Sequence, residues 1–178
     1  EIDYVVKFVN SLINAGVNPS QIGVISAYGA QTHFISESFK SDGIRVKVST
    51  IDSFQGSQKD YILICTTRNG KELGFLNDKR RMNVAITRAR CFVAIFGNKE
   101  TLSQSNSWNE VIKYAENQKT FYSKFPITMD KNTTIGKNII INKNTHSNPL
   151  LISKNSHEMV SAFKEEINEA GYKLKEIY

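Results

Sequence analysis

Two short runs of almost unbroken apolar residues constrain the fold of this chain more than any other feature. Residues 60–65 read DYILIC, and residues 92–96 read FVAIF. Strands without polar alternation are typical of parallel sheets, in which helices cover both faces. Segments with apolar residues at helical spacing separate these runs from two further strand patterns. The alternation of strands and helices predicts an α/β fold, a parallel sheet with helices on both sides.

The other predicted elements complete this pattern. Short apolar or alternating segments predict strands at residues 21–27 and 44–48. Apolar residues recur every three or four positions in further segments, which predict helices at residues 2–15, 30–39 and 108–118. Gly16 lies where the first of these helices should stop. Phe54, in a polar stretch after the second strand, is predicted to plug the core rather than to stack on a base.

Residues 79–90, KRRMNVAITRAR, combine positive charge with helical spacing. Read as a helix, the segment places its apolar residues on one stripe: Met82, Ala85, Ile86 and Ala89. Arg81 and Arg88 would then share another face, about 10 Å apart at a helical rise of ~1.5 Å per residue. A helix that buries one side and presents arginines from another suits an anion. The alternative is an ordinary solvated basic face.

Charge and composition favour some classes of protein and exclude others. The formal net charge is +6 and the pI about 9.3, which suits a polyanionic partner without specifying one. No apolar run approaches the ~18 residues that a membrane helix needs, and the sequence shows no signal peptide. We therefore expect an intracellular protein, cytoplasmic or nuclear, with no membrane partner. Because the chain does not begin with Met, we expect it to be part of a longer protein.

The sequence predicts no metal site within the chain. The histidines have no spacing typical of metal ligands. Both cysteines, Cys65 and Cys91, lie in apolar, strand-like runs. We predict that both are small core residues in a reducing compartment, and that they form neither a disulfide nor a metal site.

Three polar stretches follow the predicted strands, at the edge where open parallel sheets bind ligands. Residues 26–31 read SAYGAQ, residues 49–58 read STIDSFQGSQ, and residues 69–77 follow the third strand. The first two stretches are rich in hydroxyls, amides and glycines, which allow a backbone to approach phosphate oxygens closely. Each stretch alone is more typical of an ordinary polar loop, and only their combination indicates a site.

Taken in order, these stretches resemble three motifs of the second RecA-like domain of superfamily 1 helicases, of the up-frameshift kind. IGVISAYGAQ resembles the fourth helicase motif, VSTIDSFQGSQKDYILI the fifth, and GFLNDKRRMNVAITRAR the sixth. The resemblance covers residues 1–118. It implies a RecA-like sheet of the P-loop NTPase type. The chain contains no GxxxxGK stretch followed by Ser or Thr, so it lacks the P-loop itself.

The resemblance also implies roles for single residues around ATP. Arg88 matches the arginine that reaches the γ-phosphate across a cleft, and Arg81 matches a supporting arginine. Gly56 and Gln58 match positions beside the nucleotide, although the family usually has Glu where Gln58 stands. The chain has no acidic Mg²⁺-binding motif. The Mg²⁺ that accompanies ATP is therefore expected to be held mainly by the N-terminal RecA-like domain of the same protein, preceding Glu1.

The same resemblance implies a track for single-stranded RNA or DNA. Ser26 and Thr50 match hydroxyl-bearing positions that contact the nucleic-acid backbone, and Tyr28 and Gln31 lie in the loop beside them. Contacts of hydroxyls and amides with phosphates are independent of base sequence, as a translocating motor requires. Ala27 stands where the family usually has Pro.

Composition and resemblance together divide the chain into a RecA-like domain at residues 1–125, an Asn- and Lys-rich linker or loose loop at 126–155, and a helical extension at 156–178. They predict the C-terminal motor domain of an ATP-dependent helicase, inactive as a fragment and not expected to form oligomers. RNA is favoured over DNA by the resemblance to the up-frameshift group. The alternative is a non-catalytic nucleic-acid-binding module with relic motifs. A nucleotide-binding regulatory domain ranks last, because it would need a phosphate loop.

Overall fold

A computed structural model of the chain describes residues 2–66, 73–118 and 120–121. Its strands are β1 (Ile22–Ser26), β2 (Lys47–Thr50), β3 (Lys59–Cys65) and β4 (Ala89–Phe96). Within the described residues they form a parallel sheet of four strands in the order β2-β1-β3-β4. The flanking helices are α1 (Ile2–Asn14), α2 (Gly29–Ser41), α3 (Lys79–Ile86), α4 (Lys99–Leu102) and α5 (Asn106–Asn117). The predicted α/β class, a parallel sheet flanked by helices, is confirmed.

Most predicted elements agree closely with the observed ones. Gly16 follows α1 with a φ of +96°, the left-handed conformation expected at a helix end. The strand predicted at residues 44–48 is displaced, since β2 begins only at Lys47. The reason is pairing: β1 offers register partners to β2 only from Gly23 onward, and Gly23 lies opposite Lys47.

The helix predicted across residues 79–90 is shorter than expected. Ala89 is the first residue of β4 and not the last residue of an apolar helical stripe. The reason is that β3 extends far enough to pair with it: Lys59 lies opposite Ala89, and the Lys59 N–H donates to the Arg88 carbonyl oxygen at 3.0 Å. Arg81 and Arg88 therefore do not share a helical face, and that prediction is wrong.

Side chains cover both faces of the sheet, as the apolar runs predicted. On one face, the ring of Phe8 in α1 stacks on Phe92 and meets Phe96 edge-on, each at a centroid distance of 5.9 Å. Phe54 lies against the opposite face, where it contacts Gly23. Every residue of β1 is buried between these layers. Because Phe54 is itself fully buried, the prediction that it plugs the core is confirmed.

The connection from β2 to β3 passes very close to the sheet. These strands lie on either side of β1, so residues 51–58 must cross β1 while returning from its carboxyl edge to its amino edge. Parallel crossovers usually need about a dozen residues or more, and this one is shorter. Gly23 makes the short path possible, because a Cβ at that position would lie 2.6 Å from Cζ of Phe54.

The two cysteines differ in environment. Cys65 is buried as predicted, whereas Cys91 is exposed, so its assignment to the core is wrong. Near Cys91, β4 contains one residue more than the facing part of β3. Such a bulge interrupts the alternation of side chains between the two faces, and it leaves Cys91 at the surface.

Some predictions fall on other parts of the chain. No helix of the described residues is long and apolar enough to cross a membrane. The predicted linker at residues 126–155 and the predicted extension at 156–178 lie outside the described residues, as do residues 69–72 of the third polar stretch.

Replacing Gly23 tests the crossover. Gly23→Ala should lower the free energy of unfolding by about 1–3 kcal/mol, the usual cost of an extra methyl group in a packed core. Gly29→Ala is the matched control, because a Cβ at Gly29 meets nothing within 4 Å. We expect that control to change stability by less than about 1 kcal/mol. Urea unfolding followed by circular dichroism measures both variants, and equal losses would show that Phe54 does not press on Gly23.

Candidate functional site

The predicted nucleic-acid-binding residues lie together at the carboxyl edge of the sheet. Ser26 ends β1 and Thr50 ends β2, and these two residues are direct register partners. Neighbouring strands are about 4.8 Å apart, so the two side chains occupy one small area. Tyr28 and Gln31 follow in the loop and in the first turn of α2. All four residues are therefore neighbours in the fold.

Ser26 and Gln31 are buried, and their side chains are hydrogen-bonded to each other. The Ser26 hydroxyl donates to Oε1 of Gln31 at 2.5 Å, and its oxygen accepts from the Tyr28 N–H at 3.1 Å. These bonds define the turn between β1 and α2. Ser26 therefore shapes the loop, whereas Gly29 and Ala30 at the start of α2 are exposed to solvent.

Thr50 holds the turn that follows β2. Its Oγ1 accepts from the Ser53 N–H at 3.3 Å and lies 3.0 Å from the Ser53 hydroxyl oxygen. The bonds stabilise the 3₁₀ turn Asp52–Phe54, whose last residue packs over Gly23. Thr50 is only half-buried, so its hydroxyl stabilises the turn and remains accessible from solvent.

Gly56, Gln58 and Arg88 lie at the opposite, amino edge of the sheet. The expectation that residues 49–58 lie wholly at the carboxyl edge is wrong, because this stretch contains the crossover. Gln58 directly precedes β3, and Arg88 directly precedes β4. The hydrogen bond between the Lys59 N–H and the Arg88 carbonyl holds the two strand starts side by side. Gly56 has a φ of +79°, a conformation that favours glycine.

The guanidinium of Arg88 is positioned by neutral groups. Its Nε donates to the carbonyl oxygen of Val84 at 3.1 Å, and its Nη2 lies 3.4 Å from the hydroxyl oxygen of Thr87. The side chain is half-buried, and within the described part of the chain it makes no ion pair. Neither partner carries a charge, so these hydrogen bonds orient the guanidinium of Arg88 without neutralising it.

Arg81 is in a different electrostatic environment. Its Nε lies 3.5 Å from Oδ1 of Asp52, and its Nη1 lies 3.7 Å from Oδ2 of Asp78. Asp78 also caps α3, since its Oδ1 accepts from the backbone N–H groups of Arg80 and Arg81. The position of Asp78 just before a helical pattern is a recognisable capping signal. The contact of Asp52 with Arg81 has no signal in the sequence.

Two further groups at the amino edge escaped the sequence analysis. Lys47 passes over the ring of Phe54, with its Nζ 4.7 Å from the ring centroid, and donates to Oγ of Ser57 at 2.7 Å. It thereby brings a second cation to the loop that carries the two candidate nucleotide positions. Nearby, burial raises the pKa of Tyr61, and electrostatic interactions with Cys91 and Asp60 raise it further.

The described part of the site offers a guanidinium and no cluster of metal ligands. Among the described residues, no group of three or more His, Cys, Asp or Glu side chains is placed to hold a metal. The half-buried guanidinium of Arg88, which has no carboxylate partner among those residues, matches the charge and the geometry of a phosphate group. The expectation that Mg²⁺ is held by residues of another domain stays a prediction.

Comparisons with known proteins identify a family that this chain matches and relatives to which it is similar. The sequence model of a protein family described as the AAA domain matches residues 1–100. Regulator of nonsense transcripts 1 of Caenorhabditis elegans is 39% identical over 125 residues, which make up 65% of this chain and 12% of the relative. The homolog of that protein in Arabidopsis thaliana is 40% identical over 117 residues, 61% of this chain and 9% of the relative.

A relative from yeast carries an activity in its name. The protein called ATP-dependent helicase NAM7 of Saccharomyces cerevisiae is 36% identical over 115 residues, 60% of this chain and 12% of the relative. The chain thus spans about a tenth of the length of the curated relatives that it matches. The matched part includes both edges of the sheet described above.

Replacing Asp78 separates its two contacts. Asp78→Ala should lower the free energy of unfolding by about 0.5–2 kcal/mol, because the first turn of α3 loses its cap. Asp78→Asn keeps a capping oxygen and loses only the exposed ion pair with Arg81, so we expect a loss of less than about 1 kcal/mol. Chemical denaturation of both variants measures the difference. Similar losses would mean that the ion pair, and not the cap, provides the stability.

Proposed function

The chain belongs to the AAA domain family, and from this premise we propose that it is the C-terminal motor domain of an ATP-dependent helicase. Its predicted resemblance to helicases of the up-frameshift kind is confirmed by the relatives described above. The observation that carries the proposal is the placement of different polar groups at the two edges of the sheet. One edge gathers hydroxyl and amide groups, and the other presents the guanidinium of Arg88.

In this proposal, Arg88 completes an ATP site from the side of the γ-phosphate. Transfer of that phosphoryl group spreads negative charge over its oxygens, and a fixed guanidinium stabilises that charge in the transition state. The bonds to Val84 and Thr87 orient the group in advance, so little reorganisation is needed during the reaction. Mg²⁺ would neutralise charge on the phosphates and would be held by the N-terminal RecA-like domain.

Gly56 and Gln58 are proposed to lie beside the nucleotide. Both are exposed, and Gln58 directly precedes Lys59, whose backbone N–H donates a hydrogen bond to the Arg88 carbonyl oxygen. An amide can donate and accept hydrogen bonds, so Gln58 can still bind a hydroxyl of the nucleotide where relatives usually have a carboxylate. Arg81 remains a candidate supporting arginine, although it would have to leave Asp52 or Asp78 to contact ATP.

We further propose that the carboxyl edge holds a single nucleic-acid strand through its backbone. The candidate contacts are the Thr50 hydroxyl, Tyr28 and the exposed backbone at the start of α2, which Ser26 and Gln31 position. These groups suit phosphates and sugars and do not read base edges, so binding would be independent of sequence. RNA is the proposed substrate, since the relatives are named for their action on transcripts.

The two edges explain how ATP could drive movement. ATP would bind between this domain and an N-terminal RecA-like domain of the same protein and would close the cleft between them. Arg88 would reach the nucleotide only in the closed form. Hydrolysis of ATP and release of the products would then reopen the cleft. Alternating grips on the strand at the carboxyl edge would then move the protein along the nucleic acid.

A second candidate is a nucleic-acid-binding module without catalysis. The specific observation that favours it is Gln58, which stands where the family usually has Glu and lacks its charge. Both candidates predict strand binding, but only the motor predicts ATP turnover. Nucleic-acid-stimulated hydrolysis by the full-length protein therefore distinguishes them.

Replacing Arg88 tests the proposed motor. In the full-length protein, Arg88→Ala should lower kcat for ATP by about 10³–10⁵, the usual contribution of such an arginine. Arg80→Ala is the matched control, since Arg80 is an exposed arginine of the same motif, and it should leave kcat within about threefold. Steady-state ATP hydrolysis with saturating single-stranded RNA measures both, and thermal melting checks that both fold. Turnover by Arg88→Ala equal to the parent would remove Arg88 from the site.

Salt dependence tests the proposed strand contact. The isolated chain should bind a single-stranded oligonucleotide weakly, and the affinity should fall steeply as salt rises, with a slope of about −0.7 per phosphate contact. Fluorescence anisotropy with a uridine oligomer between low and moderate salt gives the slope. No binding at low salt, or binding that does not depend on salt, would contradict phosphate recognition by this domain.

A further inference from the structure

We propose that Asp52 is a positioning residue, which couples the nucleic-acid edge of this domain to helix α3, whose residue Val84 holds the side chain of Arg88. The inference rests on the proposed function, because it concerns how the two ligands influence each other. Asp52 contacts neither ligand in this view. It acts through the guanidinium of Arg81, to which it is bound at 3.5 Å.

On the nucleic-acid side, a continuous set of contacts leads from Thr50 to Asp52. The Thr50 hydroxyl holds the Ser53 N–H at 3.3 Å, and Ser53 lies in the same 3₁₀ turn as Asp52. Phe54 ends that turn and is fully buried over Gly23. The turn is therefore anchored at both ends, so a change at the Thr50 hydroxyl moves the carboxylate of Asp52 and is not absorbed within the turn.

On the other side, the contacts lead from Arg81 to Arg88. Arg81 is shared between Asp52 and Asp78, and Asp78 caps the helix on which Arg81 lies. That helix has only two turns, and its last carbonyls position the residues that follow it. Val84 O accepts from Nε of Arg88 at 3.1 Å, so a shift of the helix also shifts the guanidinium of Arg88.

The exposure of the Asp52 and Arg81 side chains determines how large an effect we expect when their ion pair is lost. The side chain of Asp52 is 61% exposed and that of Arg81 is 36% exposed, so water screens their attraction. Exposed ion pairs contribute little to stability, and loss of this pair should leave the fold intact. The factor by which one ligand changes the affinity for another is usually modest. Loss of an ion pair of this strength can therefore reduce that factor by about two- to fivefold.

The test measures coupling in the full-length protein. The dissociation constant for a uridine oligomer is measured by anisotropy, with and without a saturating non-hydrolysable ATP analogue and Mg²⁺. The ratio of the two constants is the coupling factor, and by linkage it also describes the effect of RNA on the nucleotide. Asp52→Asn removes the charge, Asp52→Glu keeps it, and Asp42→Asn changes an exposed carboxylate at the end of α2 as the matched control.

We expect Asp52→Asn to bring the coupling factor about two- to fivefold closer to one, while the oligomer affinity without nucleotide changes by less than about twofold. Asp52→Glu and Asp42→Asn should retain the parent factor. A residue that only stabilised the fold would change binding with and without nucleotide equally. Asp52→Ser is a second neutral variant, which should repeat the loss if Asp52→Asn proves unstable.

Failure of this inference can be distinguished from failure of the proposed function. If the parent protein couples nucleotide to RNA and Asp52→Asn does so equally, the inference is overturned while the proposed function stands. If the parent protein neither hydrolyses ATP nor changes its RNA affinity with nucleotide, the proposed function fails and the inference fails with it.

Discussion

The contact between Phe54 and Gly23 is the constraint on which the arrangement of this domain depends. It allows the chain to cross β1 in a short segment, directly against the sheet. Thr50 and Gln58 therefore lie on opposite edges of the sheet, although only a few residues separate them. A longer crossover would separate them further along the chain. Because the crossover is short and anchored, the residues of a single motif reach both edges of the sheet in a fixed geometry.

Electrostatics distinguishes the arginines of the sixth motif. Arg81 and Arg90 are paired with carboxylates of this domain, whereas Arg88 is oriented by a carbonyl and a hydroxyl. A guanidinium with a carboxylate partner is already compensated, and a ligand phosphate would have to displace that partner. Arg88 needs no such exchange. This difference distinguishes Arg88 from Arg81 and Arg90, and partial burial distinguishes it from the exposed Arg80, as a candidate for a residue that acts on a bound anion.

The sequence predicted those parts of the fold that depend on local pattern. The apolar runs predicted β3 and the buried part of β4, because strands covered on both faces need no polar alternation. The errors arose where tertiary contacts override local pattern. Pairing with Lys59 draws Ala89 into a strand, and a bulge exposes Cys91. Gly23 and Asp52 could not be identified in advance, since their partners lie far away in sequence or depend on where the crossover runs.

The same distinction applies to the candidate site. Resemblance identified residues that the fold gathers at two edges, but only coordinates revealed that Ser26 and Gln31 are buried and bonded to each other. They also revealed that the loop after β2 changes edge. Residue types and spacing indicated phosphate chemistry. The separation of the two groups of candidate residues is a property of the crossover and of the parallel strand order.

In the proposed motor, the guanidinium of Arg88 reaches the phosphates of ATP across a cleft that this domain cannot close alone. The most direct test is a crystal structure of the full-length protein with single-stranded RNA, ADP and a metal-fluoride analogue of the transferred phosphoryl group. We predict that a nitrogen of Arg88 lies about 2.7–2.9 Å from a fluoride or terminal oxygen, the distance of a charge-assisted hydrogen bond. A closed complex in which Arg88 still binds only Val84 and Thr87, and faces away from the nucleotide, would contradict it.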